Sequence, residues 1–189
     1  MADEAAEAPP ADVSLRPLVA EDLPRVAEWL AEPHVAAWWK EPSEFAAVRD
    51  RYLPCVTGED PTEIFVIEVK ARPAGLIQRY LIADDPDWAR AMAVAPVPVD
   101  RAAGIDYLIG NPALTGRGIG SVTIAIFTDR TFRRYPRAEA VTAAVQQANR
   151  PSWRALERAG FVRVWAGQLD SDDPSDAGPA YVYAKRRPA

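Results

Sequence analysis

At 189 residues and 49% hydrophobic content, the chain is long enough for one domain with a real core, and nothing in it marks a second. No apolar run approaches the length of a membrane span, and a net charge of −5 argues against a nucleic-acid partner, which would want a basic face. The single Cys55 excludes an internal disulfide and a cysteine metal cluster, and the only histidine, His34, lacks the companions a metal site or a triad needs.

Residues 1–12 are Ala-, Glu- and Pro-rich, acidic and unpatterned, without the basic start and apolar centre of a signal peptide. They predict a disordered tail ahead of one domain over 13–189, in a cytoplasmic protein. Val13 to Leu18 alternates apolar and polar residues and predicts the first strand. Leu23, Val26, Ala27 and Leu30 fall at i, i+3, i+4 and i+7, an amphipathic helix with Asp22 near its start and Pro33 as its end. Glu32 to Lys40 reads as loop; if it is extended, the adjacent Trp38 and Trp39 point to opposite sides. Ser43 opens a second helix through about Val56.

Ile64 to Val69 is β-branched and apolar, and the turn Lys70 to Gly75 leads into Leu76 to Ile82, a hairpin. Gln78 and Tyr80 sit two apart on its second strand and share a face. Residues 83–103 read as a long irregular connection with several prolines, a kind that tends to be functional or mobile. Ile105 to Ile109 is a short apolar strand carrying one acid, Asp106. Asn111-Pro112 breaks it, and after a glycine-rich loop Val122, Ala125, Ile126 and Phe127 return at helical spacing as far as Tyr135-Pro136. Ala138 to Val145 is a strand. Pro151 to Ala159 is a short helix with Asn149 as cap, Pro151 in its first turn and Gly160 past its end. Phe161 to Leu169 and Ala180 to Lys185 close the chain as a strand pair around the acidic loop Asp170 to Pro179.

The run Thr115-Gly116-Arg117-Gly118-Ile119-Gly120-Ser121 opens a helix, so its backbone N–H groups and the positive helix end suit a phosphate. It is not a P-loop, because Ser121 follows Gly120 with no Lys between, and G-x-G-x-G is not the dinucleotide fingerprint. Glycines making a tight turn account for these residues equally well.

In its context the run resembles the acetyl-coenzyme A loop of the GNAT acyltransferases, written Q/R-x-x-G-x-G/A, with Gly118 and Gly120 as its glycines and Thr115 where Gln or Arg is usual. Asn149 to Phe161 resembles that family's segment after the fifth strand, which ends in E-K/R-x-G-F. The order β-α-α-β-β-(long loop)-β-α-β-α-β-β matches as well. The resemblance implies an α/β (α+β) fold, a mixed, mostly antiparallel central sheet flanked by helices. Within the family, His34-Val35-Ala36-Ala37-Trp38-Trp39, Tyr52-Leu53-Pro54, Gln78-Arg79-Tyr80, Arg101-Ala102-Ala103-Gly104-Ile105-Asp106 and Asp176-Ala177-Gly178-Pro179-Ala180-Tyr181-Val182 resemble the aminoglycoside 6'-N-acetyltransferases. That implies transfer of acetyl from acetyl-CoA to the 6'-amine of a cationic aminoglycoside by direct attack. No metal, nucleic acid or membrane is called for, the protein is a monomer or homodimer, and antibiotic resistance is a consequence.

An acid on a short apolar strand is costly to bury without a purpose, and Asp106 is otherwise a solvent-facing or ion-paired group. By resemblance Asp106 meets the reacting ammonium and takes its proton, directly or through water. The N–H groups of Leu108, Ile109 or Gly110 are the candidates for holding the acetyl carbonyl, Leu108 foremost, where the resemblance implies a strand splayed from its neighbour around the pantetheine arm. Thr115, Gly116, Arg117, Gly118, Ile119, Gly120 and Ser121 then wrap the pyrophosphate, with Asn149 as a further coenzyme contact or simply a cap. Trp38, Trp39, Gln78, Tyr80, Asp100 and Asp176 join Asp106 as acceptor-binding candidates; the tryptophans read equally as core. Asp170, Asp172 and Asp173 read as a solvated charge run. Many GNAT enzymes carry a Tyr where this chain has Leu156, so the leaving thiolate is protonated by water, by another Tyr such as Tyr107, or not at all. Two rival functions remain: lysine-type N-acylation in siderophore synthesis, and a silent acyl-CoA or antibiotic binding module.

Overall fold

In the computed structural model, which describes residues 12–188, seven strands form one sheet: β1 (Val13–Pro17), β2 (Glu63–Val69), β3 (Arg72–Leu81), β4 (Ala102–Ile109), β5 (Ala140–Gln146), β6 (Val162–Gln168) and β7 (Pro179–Arg186). Their spatial order is β1-β2-β3-β4-β5-β7-β6, and every neighbouring pair is antiparallel except β4 with β5. Six α-helices flank the sheet: α1 (Leu23–Ala31), α2 (Pro33–Ala36), α3 (Phe45–Thr57), α4 (Pro86–Met92), α5 (Ile119–Arg134) and α6 (Arg150–Arg158). The sequence-based tail lies outside the described residues except for Asp12, whose carbonyl accepts from the Lys70 N–H.

The two-residue period of a strand decides what each face receives. On β4, Ala103, Ile105, Tyr107 and Ile109 turn to the face covered by α5 and α6, packing with Ile124, Phe127 and Leu156. Leu108 turns the other way, into a cluster with Leu23, Val26, Leu30, Val48 and Tyr52 from α1 and α3. Ala102 on that same face belongs to a separate cluster with Ile82, Met92 and Val182. Asp106 stands between Ala102 and Leu108 on this strand face, so it falls in the gap between two apolar clusters.

The parallel pairing of β4 with β5 is short. It joins Ala102–Gly104 to Ala140–Thr142 and stops, while β4 continues to Ile109 and β5 to Gln146. Elsewhere the sheet is held firmly; Glu63 on β2 accepts from the buried Arg79 of β3 at 2.8 Å and from Arg134 of α5 at 2.6 Å.

Five local expectations change. Residues 83–103 are not irregular throughout: Asp85 caps α4 by accepting from the Asp87 and Trp88 N–H groups, both at 3.0 Å, with Pro86 in the first turn, and turns and bends follow over residues 93–97. Pro33 ends α1 but also starts α2, so Trp38 and Trp39 follow a helical turn, both N–H groups donating to the Val35 carbonyl, and are not extended. The hairpin turn is only Lys70-Ala71, both at positive φ (52° and 59°), because β3 begins at Arg72 and a register shift opposite Ile67 and Glu68 absorbs Ala74. On α5, Val122, Ala125 and Ile126 are half-buried, and the buried face carries Thr123, Ile124, Phe127, Thr128 and Thr131. Thr128 and Thr131 donate to the carbonyls of Ile124 (2.7 Å) and Phe127 (2.8 Å), which satisfies their hydroxyls inside the helix. The helix opened by Ser43 in the sequence starts instead at Phe45, with Glu44 as N-cap.

Candidate active site

A cavity of about 910 Å³ opens in the gap around Asp106 and runs on between the diverging ends of β4 and β5. Ten carboxylates and two arginines line it. Both arginines sit beside acids, Arg51 at 3.9 Å from Asp60 and Arg90 against Asp87, so the uncompensated charge is strongly negative. The carboxylates gather on the side facing α1–α4 and the loop before β7. The other side, walled by Ile105, Tyr107, Ala143, Ala144, Ser152 and Leu156, is neutral.

Asp106 is held by its cross-strand neighbour. Gln78 is opposite it in the β3–β4 register and donates Nε2 to Oδ2 at 3.0 Å. Tyr80 is opposite Gly104, and its ring lies so close that a β-carbon there would come within 2.4 Å. Glycine at 104 is what leaves room for the phenol beside the acid. Burial is the main force on the Asp106 carboxyl and pushes it up to about 6; the Gln78 and Tyr80 hydrogen bonds pull down, while the Asp176 and Glu41 carboxylates push further up. At neutral pH the group is ionised and basic enough to accept a proton from an ammonium-bound water or the amine itself.

Asp176 faces the same space from the loop between β6 and β7. Ser171 Oγ donates to it at 2.6 Å, and burial raises its carboxyl above the usual range. That loop is tied to both sides of the cavity, since Ser175 Oγ accepts from the Lys40 N–H at 3.0 Å and its carbonyl accepts from Gln146 Nε2 at 2.7 Å. Trp38 and Trp39 are both half-buried and both line the cavity, Trp39 also packing against the α1–α3 cluster. Asp100 does not join them. It sits on an exposed turn, Val99–Arg101, at the opposite end of β4 from Leu108, its side chain 73% exposed and 3.4 Å from Arg101. Because β4 starts at Ala102, Asp100 precedes the part of the strand that faces the gap.

The peptide groups of β4 alternate between its two neighbours, and several contacts fix the phase. Gly110 N–H donates to the Ala74 carbonyl of β3 at 2.8 Å, while the Arg101 carbonyl accepts from Glu139 and the Ala103 carbonyl from Thr142 Oγ1 on the β5 side. Even-numbered peptide groups therefore serve β3, and odd-numbered ones face β5. This corrects the expectation for the carbonyl-binding N–H: those of Leu108 and Gly110 belong to the β3 ladder. Ile109 and Tyr107 turn theirs toward the gap that opens where β5 departs. The Ile109 carbonyl meets His34 Nε2 at 2.7 Å, so His34 pins the end of β4.

Beyond Ile109 the glycine-rich loop begins with Asn111 accepting from Ala113 N–H at 3.0 Å and Thr115 Oγ1 donating to Pro112 O at 2.9 Å. Gly116 and Gly118 have φ of +72° and +77° with open space where a side chain would sit. Only glycine adopts this backbone at low cost. Gly118 is the N-cap of α5 and no side chain bonds the first-turn N–H groups of Ile119, Gly120 and Ser121; Ser121 Oγ donates instead to Gly118 O at 2.8 Å. Arg117 is exposed beside them. Gly120 lies 3.6 Å, in β-carbon terms, from Ala155 on α6, an ordinary contact that sets helix spacing. Asn149 caps α6, accepting from the Ser152 N–H at 3.3 Å, and also lines the cavity.

Cys55 is half-buried, not fully as an apolar filler would be, and does not line the cavity. Glu41 does line it and had no sequence signal. Tyr52, 2% exposed, donates to Glu41 at 2.9 Å, and burial raises the Glu41 carboxyl. Asp84, Asp85, Asp87 and Trp88 were also missed, although Asp85-Pro86 is a recognisable helix start.

A central sheet splayed between its parallel strands, with an open helix N-terminus beyond the splay, defines an acyltransferase frame. The model of the "Acetyltransferase (GNAT) domain" matches residues 19–169, and the chain belongs to that family. It is 26% identical over 180 residues to the aminoglycoside N(6')-acetyltransferase type 1 of Klebsiella pneumoniae, covering 94% of this chain and 84% of that protein, and equally to that of Serratia marcescens. The crystal structure of aminoglycoside acetyltransferase AAC(6')-Ib with coenzyme A superposes with a TM-score of 0.78 at 25% identity, over 93% of this chain and 95% of that one. The complex of that enzyme with coenzyme A and kanamycin gives the same values. No described helix is long and apolar enough to cross a membrane.

Proposed function

We propose that this acetyltransferase moves the acetyl group of acetyl-CoA to the 6'-amine of aminoglycosides. The observation that carries it is Asp106, held by Gln78 in a strongly acidic cavity that continues into the β4–β5 gap. The acidic side concentrates a polycationic sugar and orients its ammonium on Asp106, which takes a proton and frees the lone pair. The Ile109 N–H, turned to the gap, is oriented to stabilise charge on the carbonyl oxygen as nitrogen attacks. The first turn of α5, with Gly116 and Gly118 in their left-handed conformation, suits the pyrophosphate. Trp38 and Trp39 offer aromatic faces to the sugar or its cations. The cavity's carboxylates weigh against a siderophore-type acylation, whose long acyl chain and single amine need few acids.

With this function go a cytoplasmic location, no nucleic-acid or membrane partner, and a contribution to drug resistance. The test is turnover of kanamycin or tobramycin with acetyl-CoA, read as free thiol, beside analogues carrying a 6'-hydroxyl. Turnover of the 6'-amino drugs alone is expected; equal turnover of both would reject the 6' assignment, and none with any aminoglycoside would reject the acceptor class.

A further inference from the structure

Acetyl transfer moves protons at two places. Asp106 serves the amine, but the departing sulfur also needs a proton donor. Leu156, on α6 beside the cavity, is fully buried (0%) among apolar groups and has no proton to give.

Tyr107 follows Asp106 on β4 and so turns to the opposite face of the strand. Its hydroxyl meets Ser152 Oγ at 2.7 Å and donates to the Ser152 carbonyl at 3.1 Å. Ser152 and Leu156 are four apart on α6 and share a face, and helical side chains lean toward the N-terminus. A phenol carried at position 156 would therefore lay its hydroxyl over Ser152. The Tyr107 hydroxyl is already there, delivered from the strand, and Tyr107, Ser152 and Leu156 all line the neutral side of the cavity where β5 leaves β4.

We propose, resting on the acetyl-transfer function above, that Tyr107 protonates the departing thiolate and that Ser152 is the positioning residue that holds and recharges it. The amine nitrogen bonds the carbonyl carbon, and the carbon–sulfur bond breaks with its electron pair on sulfur. The Tyr107 O–H proton passes to sulfur. The phenolate regains a proton from the Ser152 hydroxyl, which takes one from water, while Asp106 returns the amine's proton to solvent. Burial, aided by Asp106 on the same strand and Tyr183 on β7 (itself bonded to Glu157 of α6) and opposed by Ser152, holds the phenol above its ordinary range, so it stays protonated at working pH. The same apolar walls make a desolvated thiolate more basic than in water and thus in need of a donor.

The experiment compares wild type with Tyr107→Phe using acetyl-CoA and S-acetyl thionitrobenzoate, whose thiol is acidic enough to leave unaided. With acetyl-CoA the variant is expected to lose tenfold or more in kcat while KM for acetyl-CoA moves less than threefold; with the activated donor it loses less than threefold. Ser152→Ala is expected to show the same split at smaller amplitude, and Leu156→Tyr added to Tyr107→Phe to recover kcat at least threefold. A loss under tenfold with acetyl-CoA, or an equal loss with both donors, overturns Tyr107 as the acid. Wild-type protein that turns over no amine overturns the acetyl-transfer function itself, a separate result.

Discussion

The acidic and the neutral sides of the cavity share strand β4, yet they are built from different materials. On the acidic side, side chains do the work: Asp106, Asp176 and Glu41 are held by hydrogen bonds from Gln78, Ser171 and Tyr52, and burial raises all three carboxyls. On the neutral side the backbone does it: odd-numbered peptide groups of β4 face a gap, and two glycines at positive φ shape the approach to α5. The difference teaches how one site separates two ligands. Charge acts over several ångströms and tolerates varied acceptors, whereas fixed N–H groups demand one shape.

The largest effect should come where the two sides meet. Asp106→Asn is expected to lower kcat/KM for kanamycin by 10²-fold or more, in the range of general-base catalysis, measured by thiol release. A loss under tenfold would remove Asp106 from the chemistry. In the free wild-type enzyme kcat/KM should fall as pH drops through about 6, because the base must be ionised. Stability runs the other way. Since folding raises this carboxyl above the unfolded value, the native state binds the proton more tightly and gains stability as pH falls from about 6 toward 4. Asp106→Asn should accordingly raise Tm at pH 7.5, with the gain gone below pH 4.

A second break separates the sides by substrate. Gly118→Ala, placed at φ +77°, should raise KM for acetyl-CoA several-fold and leave KM for the drug within twofold. Its strain, about 1 kcal/mol, should lower Tm by about 2–4 °C for a chain of this size. Glu41→Gln should do the converse, raising the drug KM about three- to tenfold with acetyl-CoA unaffected. Equal changes in both constants would mean that the sides are not independent.

The smallest effects sharpen the comparison. Raising salt from 0.05 to 0.5 M, which shortens screening well below the cavity's width, should lower kcat/KM for a tetracationic drug more than for a dicationic one. Asp100→Asn should leave the drug KM within twofold, since its side chain lies outside the acidic side. A larger change would return Asp100 to the site.

How much of this was legible depended on how local each cause is. Asn149 as cap of α6 and Gly160 beyond its end follow from residues a few positions apart, and they appear as read, whereas α5 starts at Ile119, ahead of the helical spacing that begins at Val122. Asp106 stood out because an acid interrupts an apolar strand. Helix α4 was missed even though Asp85-Pro86 announces it, because prolines before and after it suggested irregularity. The Trp38–Trp39 pair was misjudged because Pro33 both ends one helix and starts another. The choice between Leu108 and Ile109 was beyond reach, since it depends on which strand each peptide group faces. So was the Tyr52–Glu41 bond, eleven residues apart along the chain.

The sequence by itself determined the family, the succession of the seven strands, the cap of α6 and the identity of the central acid, because each rests on a residue type at short spacing. Only the tertiary structure decided that Asp106 lies between two apolar clusters, that Ile109 and not Leu108 turns its N–H to the gap, that Asp100 is left outside, and that Tyr107 reaches Ser152. Hydrogen-bond direction and burial are relations between segments, and they come into being only when distant strands and helices pack.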